Sequence, residues 1–392
     1  MGKPRLLFVD NRVEYFVSHR LPLARAAQDA GYEIHVATLT AGEVSGIRDA
    51  GFTYHPVSET RRDGRITSEL RILRNLYRLY KRLRPDIVHH ITLRSVLYGS
   101  LTARYVSVPA VVNGITGLGY TFTSESARAA ALRTAVTTLL RVALPHENQY
   151  LTFQNPDDHA IFERAGLIRN VPATIIKGSG VDTEYYRCDA APDDVPVVLF
   201  PSRMLWHKGL GEFIEAVRVL RQENTAARFV LVGSTDPDNP AGVSAAQLEA
   251  WRSSGLVEWW GHRSDMRAVF ASAHIVCLPS YREGVPKVLI EAASCGRPIV
   301  SADVPGCREI VRHGENGLLV PAKDSAQLAD AIRVLLNDAG LRERMGRNGR
   351  ELVKREFSVE HVIERTLSVY DRLLGPRTPT TSHLASTTSE RH

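Results

Sequence analysis

Short apolar runs alternate with longer amphipathic stretches along most of the 392 residues. In the first half the apolar runs predict buried strands at 5–10, 33–38, 86–92, 109–115 and 150–155. The rhythm restarts in the second half, with strands predicted at 195–202, 227–233, 256–261, 274–280 and 297–302. Helices are predicted between strands at 21–30, 94–106 and 209–221. This alternation indicates βαβ units and parallel sheets, so the predicted fold class is α/β with two Rossmann-like, doubly wound domains.

A linker separates the two halves of the chain. The stretch "CDAAPDDVP" at 188–196 is acidic and rich in Ala and Pro. We therefore predict an N-terminal domain over 1–188, a C-terminal domain over 189–356, and a helix at 357–375 that crosses back to the first domain. The Ser/Thr/Pro-rich tail at 376–392 is predicted to be disordered, because it cannot bury enough apolar surface to fold. Two such domains would share one cleft at the carboxyl ends of their strands, where ligands bind.

Composition and charge narrow the function classes. Hydrophobic residues at 44% and charged residues at 23% are normal for a globular protein. No run approaches 18 apolar residues and no signal segment is recognised, so we expect a cytoplasmic protein. The four cysteines lack metal-ligand spacing, which favours reduced thiols. The first 190 residues hold 24 Lys+Arg and 18 Asp+Glu, whereas the remainder holds 25 of each, so an acidic partner is expected at the first half.

A turn and the helix that follows it combine two carboxylates with a helix start. The stretch "YREGVPKVLIEAASCG" at 281–296 predicts a turn to Pro286 and a helix that ends at Gly296. The helix start suits an anion and is formed by Gly284, Val285, Pro286, Lys287 and Val288. Glu283 can accept hydrogen bonds from sugar hydroxyls, and Glu291 can grip a diol with both oxygens. One ligand satisfies these features, namely a sugar, then phosphates, then a ribose.

Two further loops complete the predicted donor site. In "FPSRMLWHKG" at 200–209, Arg203 and Lys208 follow the first strand of the second domain, where two cations can clamp a diphosphate. The loop "WWGHRSD" at 259–265 can hold a base through backbone groups at Gly261, His262 and Arg263.

The second half, with these motifs, resembles the family-4 glycosyltransferases of the GT-B fold, whose pattern stands here as Arg203/Lys208, Pro279-Ser280, Glu283-Gly284, Pro286 and Glu291. The resemblance covers about residues 5 to 372. It implies that Arg203 and Lys208 hold the donor diphosphate, that Glu291 holds the ribose and that Glu283 holds the transferred sugar. It also implies a retaining transferase that needs neither a metal nor another cofactor, the nucleotide-sugar being a substrate.

The first half resembles bacterial transferases that extend undecaprenyl-diphosphate-linked sugars, through "HRLPLA", "VHHITLRSVLYGSL" and "FQNPDDHAIFERAGL". Here a polar, aromatic loop ending in His19-Arg20 replaces the glycine-rich first loop of many relatives. Many relatives also place a histidine where this chain has Asn113, so no side-chain base stands in the usual position. The candidates on the acceptor side are His19, Arg20, His90, Asn113, Gly117 and Gly119, with a capping or core role as the alternative for the histidines.

Two segments of the first half bear on the membrane. Segment 61–84 has nine basic and two acidic residues, and Leu70, Leu73, Leu76/Tyr77 and Tyr80 form a helical stripe. Such a helix can rest on an anionic leaflet, or the stripe can pack on the first sheet. Segment 127–146 is apolar with sparse arginines; it is interpreted as a core helix, and contact with a lipid tail is the alternative.

We therefore predict a retaining, metal-independent transferase that moves a hexose or N-acetylhexosamine from a nucleotide-sugar, with UDP favoured as the carrier and GDP as the alternative, onto an undecaprenyl-diphosphate-linked saccharide. The partners are the nucleotide-sugar, the lipid-linked acceptor and the inner face of the cell membrane, with no nucleic acid. The Asp-Pro-Asp at 236–238 is interpreted as a turn and not as a metal motif. The alternatives are transfer to a soluble acceptor, a UDP-sugar epimerase, and a non-catalytic UDP-sugar-binding protein.

Overall fold

Two parallel sheets carry the strands of the chain. The computed structural model describes residues 2–58, 66–118, 127–169, 171–188, 192, 194–237 and 239–375. The first sheet has seven strands in the order β3-β2-β1-β4-β5-β6-β7. Their bounds are Arg5–Asp10 (β1), Glu33–Thr38 (β2), Thr53–Pro56 (β3), Ile87–Ile91 (β4), Ala110–Ile115 (β5), Gln149–Phe153 (β6) and Ala173–Ile175 (β7).

Six helices accompany the first sheet in the described parts of this half. They are Val13–Asp29 (α1), Ser45–Asp49 (α2), Ile66–Leu83 (α3), Leu93–Val106 (α4), Ala127–Ala143 (α5) and Pro156–Arg164 (α6). The strand order reverses between β1 and β4, because β2 and β3 extend the sheet to one side of β1 and β4 to β7 extend it to the other. In open parallel sheets, ligands bind outside the carboxyl ends of the strands at such a reversal.

The second sheet repeats this plan with six strands in the order β10-β9-β8-β11-β12-β13. Their bounds are Val197–Pro201 (β8), Arg228–Val232 (β9), Glu258–Trp259 (β10), Ile275–Leu278 (β11), Ile299–Ala302 (β12) and Gly317–Val320 (β13). The helices are Leu210–Gln222 (α7), Ala245–Ser253 (α8), Met266–Ala271 (α9), Lys287–Ser294 (α10), Cys307–Ile310 (α11), Ser325–Asn337 (α12), Ala339–Glu356 (α13) and Val359–Leu374 (α14). Here the order reverses between β8 and β11.

The last helix, α14, leaves the second domain and packs on the first. Val362, Val369 and Tyr370 join the buried cluster that contains Phe8 and Val36. The start of α14 packs closely against Gly180. A Cβ added to Gly180 would lie 2.6 Å from the Cα of Val359, the first residue of α14. The tail predicted to be disordered lies outside the described residues.

The prediction for α1 is wrong at its start. The helix begins at Val13 and not near residue 21, so the stretch expected to be a polar, aromatic loop is helical. Its buried positions recur at helical spacing on both sides of Pro22, namely Val13, Phe16, Arg20, Leu23, Ala24 and Ala27. This stripe packs on the first sheet, and its burial outweighs the loss of one backbone hydrogen bond at the proline.

The two segments considered for the membrane contain the helices α3 and α5, and residues 61–65 of the first segment lie outside the described residues. In α3 the buried stripe is Ile72, Leu76, Leu79 and Tyr80, which is shifted from the predicted one, since Leu70 is 60% exposed. This stripe packs on the sheet, and the arginines of α3 are exposed. Helix α5 buries Leu140 and Ala143 but exposes Leu132, Leu139 and Val142 by more than half. Within the described parts of the chain, no helix is long and apolar enough to cross a membrane.

Candidate functional site

Lys208 and Glu283 meet at the reversal of the second sheet. Lys208 ends a short 3-10 helix after β8, and Glu283 lies in the turn after β11. Because β8 and β11 are neighbours in the sheet, the loops after them lie side by side. The Nζ of Lys208 lies 2.5 Å from Oε1 of Glu283, and the two side chains are 17% and 13% exposed. The structure thus brings together two predicted donor-site residues that are 75 positions apart.

The loop that carries Lys208 is packed closely onto β11. Gly209 has a φ of +77°, and a Cβ there would lie 2.1 Å from the carbonyl oxygen of Pro279. Only glycine combines this left-handed backbone with so close an approach. The glycine therefore holds Lys208 at the end of β11.

Arg203 lies at the more open side of the same loop. Its guanidinium donates to the carboxylate of Asp236 over 2.9 Å, and its side chain is 49% exposed. Asp236 opens the Asp-Pro-Asp stretch that was interpreted only as a turn, and Asp238 lies outside the described residues. Sequence reasoning missed this pairing, although an acidic residue after β9 was a signal for it.

Glu291 is buried on the inner face of α10. It is 6% exposed, and Nζ of Lys287 lies 3.3 Å from its carboxylate, one helical turn away. Burial raises the pKa of Glu291, while Lys287 and the hydroxyl of Tyr186 oppose this by stabilising the carboxylate. A buried carboxylate with one cationic neighbour is a strong hydrogen-bond acceptor for a diol.

Fewer backbone amides at the start of α10 can bind an anion than the sequence suggested. Pro286 is the N-cap of α10 and has no N–H, so it offers no donor. The amide of Val285 donates to Oε1 of Gln154 over 3.2 Å. The amides of Gly284, Lys287 and Val288 remain the candidates for an anionic ligand.

The loop expected to hold the base lies at the same edge of the sheet. The carbonyl of Gly261 accepts a hydrogen bond from the amide of Gly233 over 2.8 Å. A Cβ on Gly233 would lie 1.9 Å from the carbonyl oxygen of Ser202, so the loops after β8 and β9 touch. His262 and Arg263 are exposed beside them. The loop at 259–265 therefore reaches the loop after β8 through the loop after β9, and all three predicted donor loops lie at the same edge of the sheet.

His19 and Arg20 lie on α1 and not on a loop. The ring of His19 stacks on Tyr15 with centroids 4.0 Å apart, and its Nδ1 lies 2.7 Å from the hydroxyl of Ser18. Burial, followed by the charges of Lys287 and Arg20, lowers the pKa of His19 to about 3, so the ring is neutral at pH 7. Lys287 also donates to the carbonyl oxygen of Ser18 over 2.7 Å, which places this part of α1 against the start of α10.

His90 and Asn113, two of the candidates on the acceptor side, lie in the core of the first domain. Both are 0% exposed. His90 hydrogen-bonds to Tyr80 and Asn113 through its two ring nitrogens, at 2.9 and 2.7 Å. Asn113 is also bonded to Ser100 and Gln149. The alternative, a satisfied core histidine, is the one that the structure supports.

Gly117 faces the donor turn. It has a φ of +132°, and a Cβ there would lie 3.4 Å from the Cα of Gly284. The loop after β5 therefore approaches the turn that carries Glu283. Gly119 lies outside the described residues.

Asp10 was missed by the sequence reasoning. It ends β1, next to the strand reversal, and is 0% exposed. Its Oδ1 accepts from the amide of Asn11 over 2.6 Å. Burial raises the pKa of Asp10 to about 7, although Arg20 and the backbone amides act in the opposite direction. The signal for it was an aspartate that directly follows the apolar residues 6–9 of a strand.

Comparisons with known proteins agree with this geometry. The family profile described as "Glycosyl transferase 4-like" matches residues 5–155, and that of "Glycosyl transferases group 1" matches residues 195–338. A transferase of Campylobacter jejuni, N,N'-diacetylbacillosaminyl-diphospho-undecaprenol alpha-1,3-N-acetylgalactosaminyltransferase, is 28% identical over 386 residues, which cover 94% of this chain and 99% of the relative. The capsular polysaccharide biosynthesis glycosyltransferase CapM of Staphylococcus aureus is 24% identical, with 80% of this chain and 84% of the relative covered.

Solved structures share the two-domain fold. The sucrose-phosphate synthase of Thermosynechococcus elongatus superposes with a TM-score of 0.78 at 20% identity, covering 95% of this chain and 99% of that one. HepE of Anabaena, in complex with UDP and glucose, gives a TM-score of 0.75 at 19% identity, covering 94% and 100%. These likenesses establish the GT-B arrangement of two Rossmann-like domains.

Proposed function

Because the chain belongs to the glycosyltransferases of the GT-B fold, with a 4-like domain followed by a group 1 domain, we propose that it transfers a sugar from a nucleoside-diphosphate donor with retention of anomeric configuration. The donor is a UDP-linked hexose or N-acetylhexosamine. The observation that carries this proposal is the partly buried contact between Lys208 and Glu283 where β8 and β11 separate. The ammonium group of Lys208 suits a phosphate and the carboxylate of Glu283 suits a sugar hydroxyl. In this proposal the contact lies where the sugar of the donor is joined to its diphosphate.

The residues divide the chemistry between them. As the bond from the anomeric carbon to phosphate breaks, negative charge grows on the departing diphosphate, and Lys208, Arg203 and the start of α10 stabilise it. Glu283 holds hydroxyls of the transferred sugar, and Glu291 holds the ribose. The departing phosphate oxygen takes the proton of the acceptor hydroxyl on the same face, which suits a site where His90 and Asn113 are buried away from the cleft. These cations make a metal ion unnecessary for charge neutralisation.

The acceptor in this proposal is an undecaprenyl-diphosphate-linked saccharide. Support comes from the similarity to the Campylobacter jejuni transferase over nearly the whole of both chains. The first domain would meet the inner face of the cell membrane, where such an acceptor resides. Its helices α3, α4 and α5 expose apolar side chains, namely Leu70, Leu101, Tyr105, Leu132, Leu139 and Val142. Exposed basic residues of α3 lie beside them, a combination that suits an anionic leaflet.

A transfer assay tests the proposal. The protein is incubated with separate UDP- and GDP-sugars and a lipid extract that contains undecaprenyl-diphosphate-linked saccharides, in the presence of EDTA. We expect release of UDP together with a mass increase of one sugar on the lipid. Release of UDP only with a water-soluble acceptor would overturn the lipid-linked acceptor, and an absolute need for a divalent cation would overturn the metal-free mechanism.

Lys208→Ala is the variant that tests the site. Removing one donor of this kind lowers the rate about 10²- to 10³-fold. The control is Lys354→Ala, since Lys354 pairs with Glu351 on the exposed face of α13, away from the cleft. A rate for Lys208→Ala within about threefold of the control would contradict the proposed role of Lys208.

A further inference from the structure

The turn that carries Glu283 is tied to the first domain by three polar contacts. The guanidinium of Arg282 pairs with the carboxylate of Asp158. The side-chain amide of Asn155 donates to the carbonyl oxygen of Gly284 over 3.0 Å. The amide of Val285 donates to Gln154, as described above. The partners all lie at 154–158, where β6 leads into α6, so one short segment of the first domain holds the donor turn at three positions, 282, 284 and 285.

The ion pair in this contact joins a buried carboxylate to a largely buried guanidinium. The side chain of Asp158 is 0% exposed and that of Arg282 is 15% exposed. Burial raises the pKa of Asp158, and Arg282 opposes this by stabilising the carboxylate. Breaking a buried pair by removing one partner leaves an uncompensated charge, which is far more costly than losing an exposed pair. The two domains therefore cannot separate at this point without exposing both groups to water.

Asp158 is itself held in place by local structure. Asn155 is the N-cap of α6, and its Oδ1 accepts from the amide of Asp158 over 2.8 Å. Its Nδ2 lies 3.2 Å from Oδ2 of the same aspartate. Asn155 thus orients the carboxylate that receives Arg282 and also binds Gly284 directly.

The backbone on either side of Glu283 is closely packed. A Cβ on Gly284 would lie 2.1 Å from the carbonyl oxygen of Thr116 in the first domain. A Cβ on Gly306 would lie 2.2 Å from the carbonyl oxygen of Gly284 and 2.5 Å from that of Glu283. The turn is therefore held between the first domain on one side and the loop after β12 on the other.

We propose that Asp158 and Arg282 are positioning residues, which couple the closure of the two domains to the placement of Glu283 beside Lys208. Arg282 precedes Glu283 in the chain, so the anchor lies one residue from the carboxylate that it positions. Neither residue of the pair hydrogen-bonds to Arg203 or Lys208, which are assigned to the diphosphate, or to Glu291, which is assigned to the ribose. Loss of the pair is therefore expected to disturb the placement of the reacting sugar more than the binding of the nucleotide. The kinetic part of this inference rests on the proposed transferase function.

Three variants and one control test the inference. Asp158→Asn removes the charge with little change of shape, Arg282→Met removes the other partner, and Arg282→Lys keeps the cation. The control is Asp157→Asn, because Asp157 lies next to Asp158 in the first turn of α6. Asp157 also pairs with Arg308 across the same interface, but at 3.6 Å and with side chains 37% and 40% exposed. Circular dichroism first confirms that each variant is folded at the assay temperature.

The expected result is a separation of turnover from binding. Misplacement of a reacting group by about 1 Å lowers the rate about 10²-fold, so kcat is expected to fall about 10- to 100-fold in Asp158→Asn and Arg282→Met. The Kd of UDP, measured by calorimetry, is expected to stay within about threefold of the wild type. Arg282→Lys is expected to recover most of the rate, and Asp157→Asn to behave as the wild type. Wild-type kcat in folded Asp158→Asn would overturn the inference, as would a rate that falls only in proportion to the folded fraction.

Hydrogen exchange separates this inference from the proposed function. The amide of Val285 is protected by Gln154, so peptides that cover 280–288 are expected to exchange faster in Asp158→Asn than in Asp157→Asn. This measurement needs no substrate. If the wild type transfers no sugar, the proposed function fails while faster exchange still supports the anchor. Unchanged exchange in Asp158→Asn would overturn the anchor whatever the enzyme does.

Discussion

The buried Asp10 makes the stability of the first domain depend on pH. Its carboxylate lies at the end of β1 with no exposure to solvent, and burial raises its pKa to about 7 from 3.8. Among the described residues, its Oδ2 has no hydrogen-bond partner. Asp10→Asn replaces the carboxyl by a neutral group of nearly the same shape, so the variant resembles the protonated form at every pH.

The sign and size of the effect follow from linkage. Between about pH 4 and pH 7 the folded state binds a proton that the unfolded state has released, so this group favours the folded state at low pH. The advantage is lost as the pH rises through the folded pKa of about 7. One pKa unit corresponds to about 1.4 kcal/mol. Between pH 5 and pH 8 the free energy of unfolding of the wild type is therefore expected to fall by about 2 to 3 kcal/mol on account of Asp10.

Urea unfolding at pH 5 and pH 8 measures this difference. All four tryptophans lie in the second domain, at 206, 251, 259 and 260, so their fluorescence follows that domain, and far-UV circular dichroism adds the signal of the first. Because the unfolded carboxyl is already ionised at pH 5, we expect Asp10→Asn to be more stable than the wild type there by about 2 kcal/mol. At pH 8 this gain should be larger by a further 2 to 3 kcal/mol or about 1 M urea, since domains of this size have m-values of about 2 kcal/mol/M.

Asp49→Asn is the matched control, because Asp49 is exposed in the same domain. It is expected to leave the difference between pH 5 and pH 8 as it is in the wild type. The reasoning about Asp10 is refuted if Asp10→Asn gains no stability at pH 8, or if its gain is the same at both pH values.

Two other features of the surface allow direct tests. Replacing Arg71, Arg74 and Arg78 of α3 by Gln is expected to weaken sedimentation with anionic vesicles about fivefold for each charge, because a basic residue near such a surface contributes about 1 kcal/mol. Removing Arg218, Arg252 and Arg347 from the second domain is the control, and equal losses in both triple variants would contradict a membrane surface on α3. The Cys295 thiol, 2.8 Å from Cys188, and two nearby arginines lower the pKa of Cys188 to about 7. Iodoacetamide at pH 7 is therefore expected to label Cys188 before the fully buried Cys277 and Cys307, as read by peptide mass spectrometry, and earlier labelling of Cys277 would show this to be wrong.

Local pattern was sufficient for most of the fold. The predicted strands at 5–10 and 33–38 coincide with β1 and β2, because buried parallel strands are rich in apolar residues and these two stretches show that enrichment. The strands β3, β7 and β13 were not predicted, and the first two are only four and three residues long with partly exposed side chains. The start of α1 was missed because the residues up to His19-Arg20 were interpreted as a polar, aromatic loop, although buried positions recur through them at helical spacing. A helix that is anchored to a sheet along its whole length tolerates a proline such as Pro22.

In the candidate site, too, the residues that could be predicted lie close together in the sequence, and the pair that could not be predicted is far apart in it. Glu283, Gly284 and Glu291 could be assigned as a group because one turn and one helix carry them, and a ligand that binds there constrains their spacing in the sequence. Arg282 lies in that same motif, yet its partner Asp158 is 124 positions away in another domain. No periodicity or spacing connects the two residues, and each alone is typical of a solvated surface. What pairs them is the approach of the two domains, and a residue that acts through that approach can be recognised only once both domains are in place.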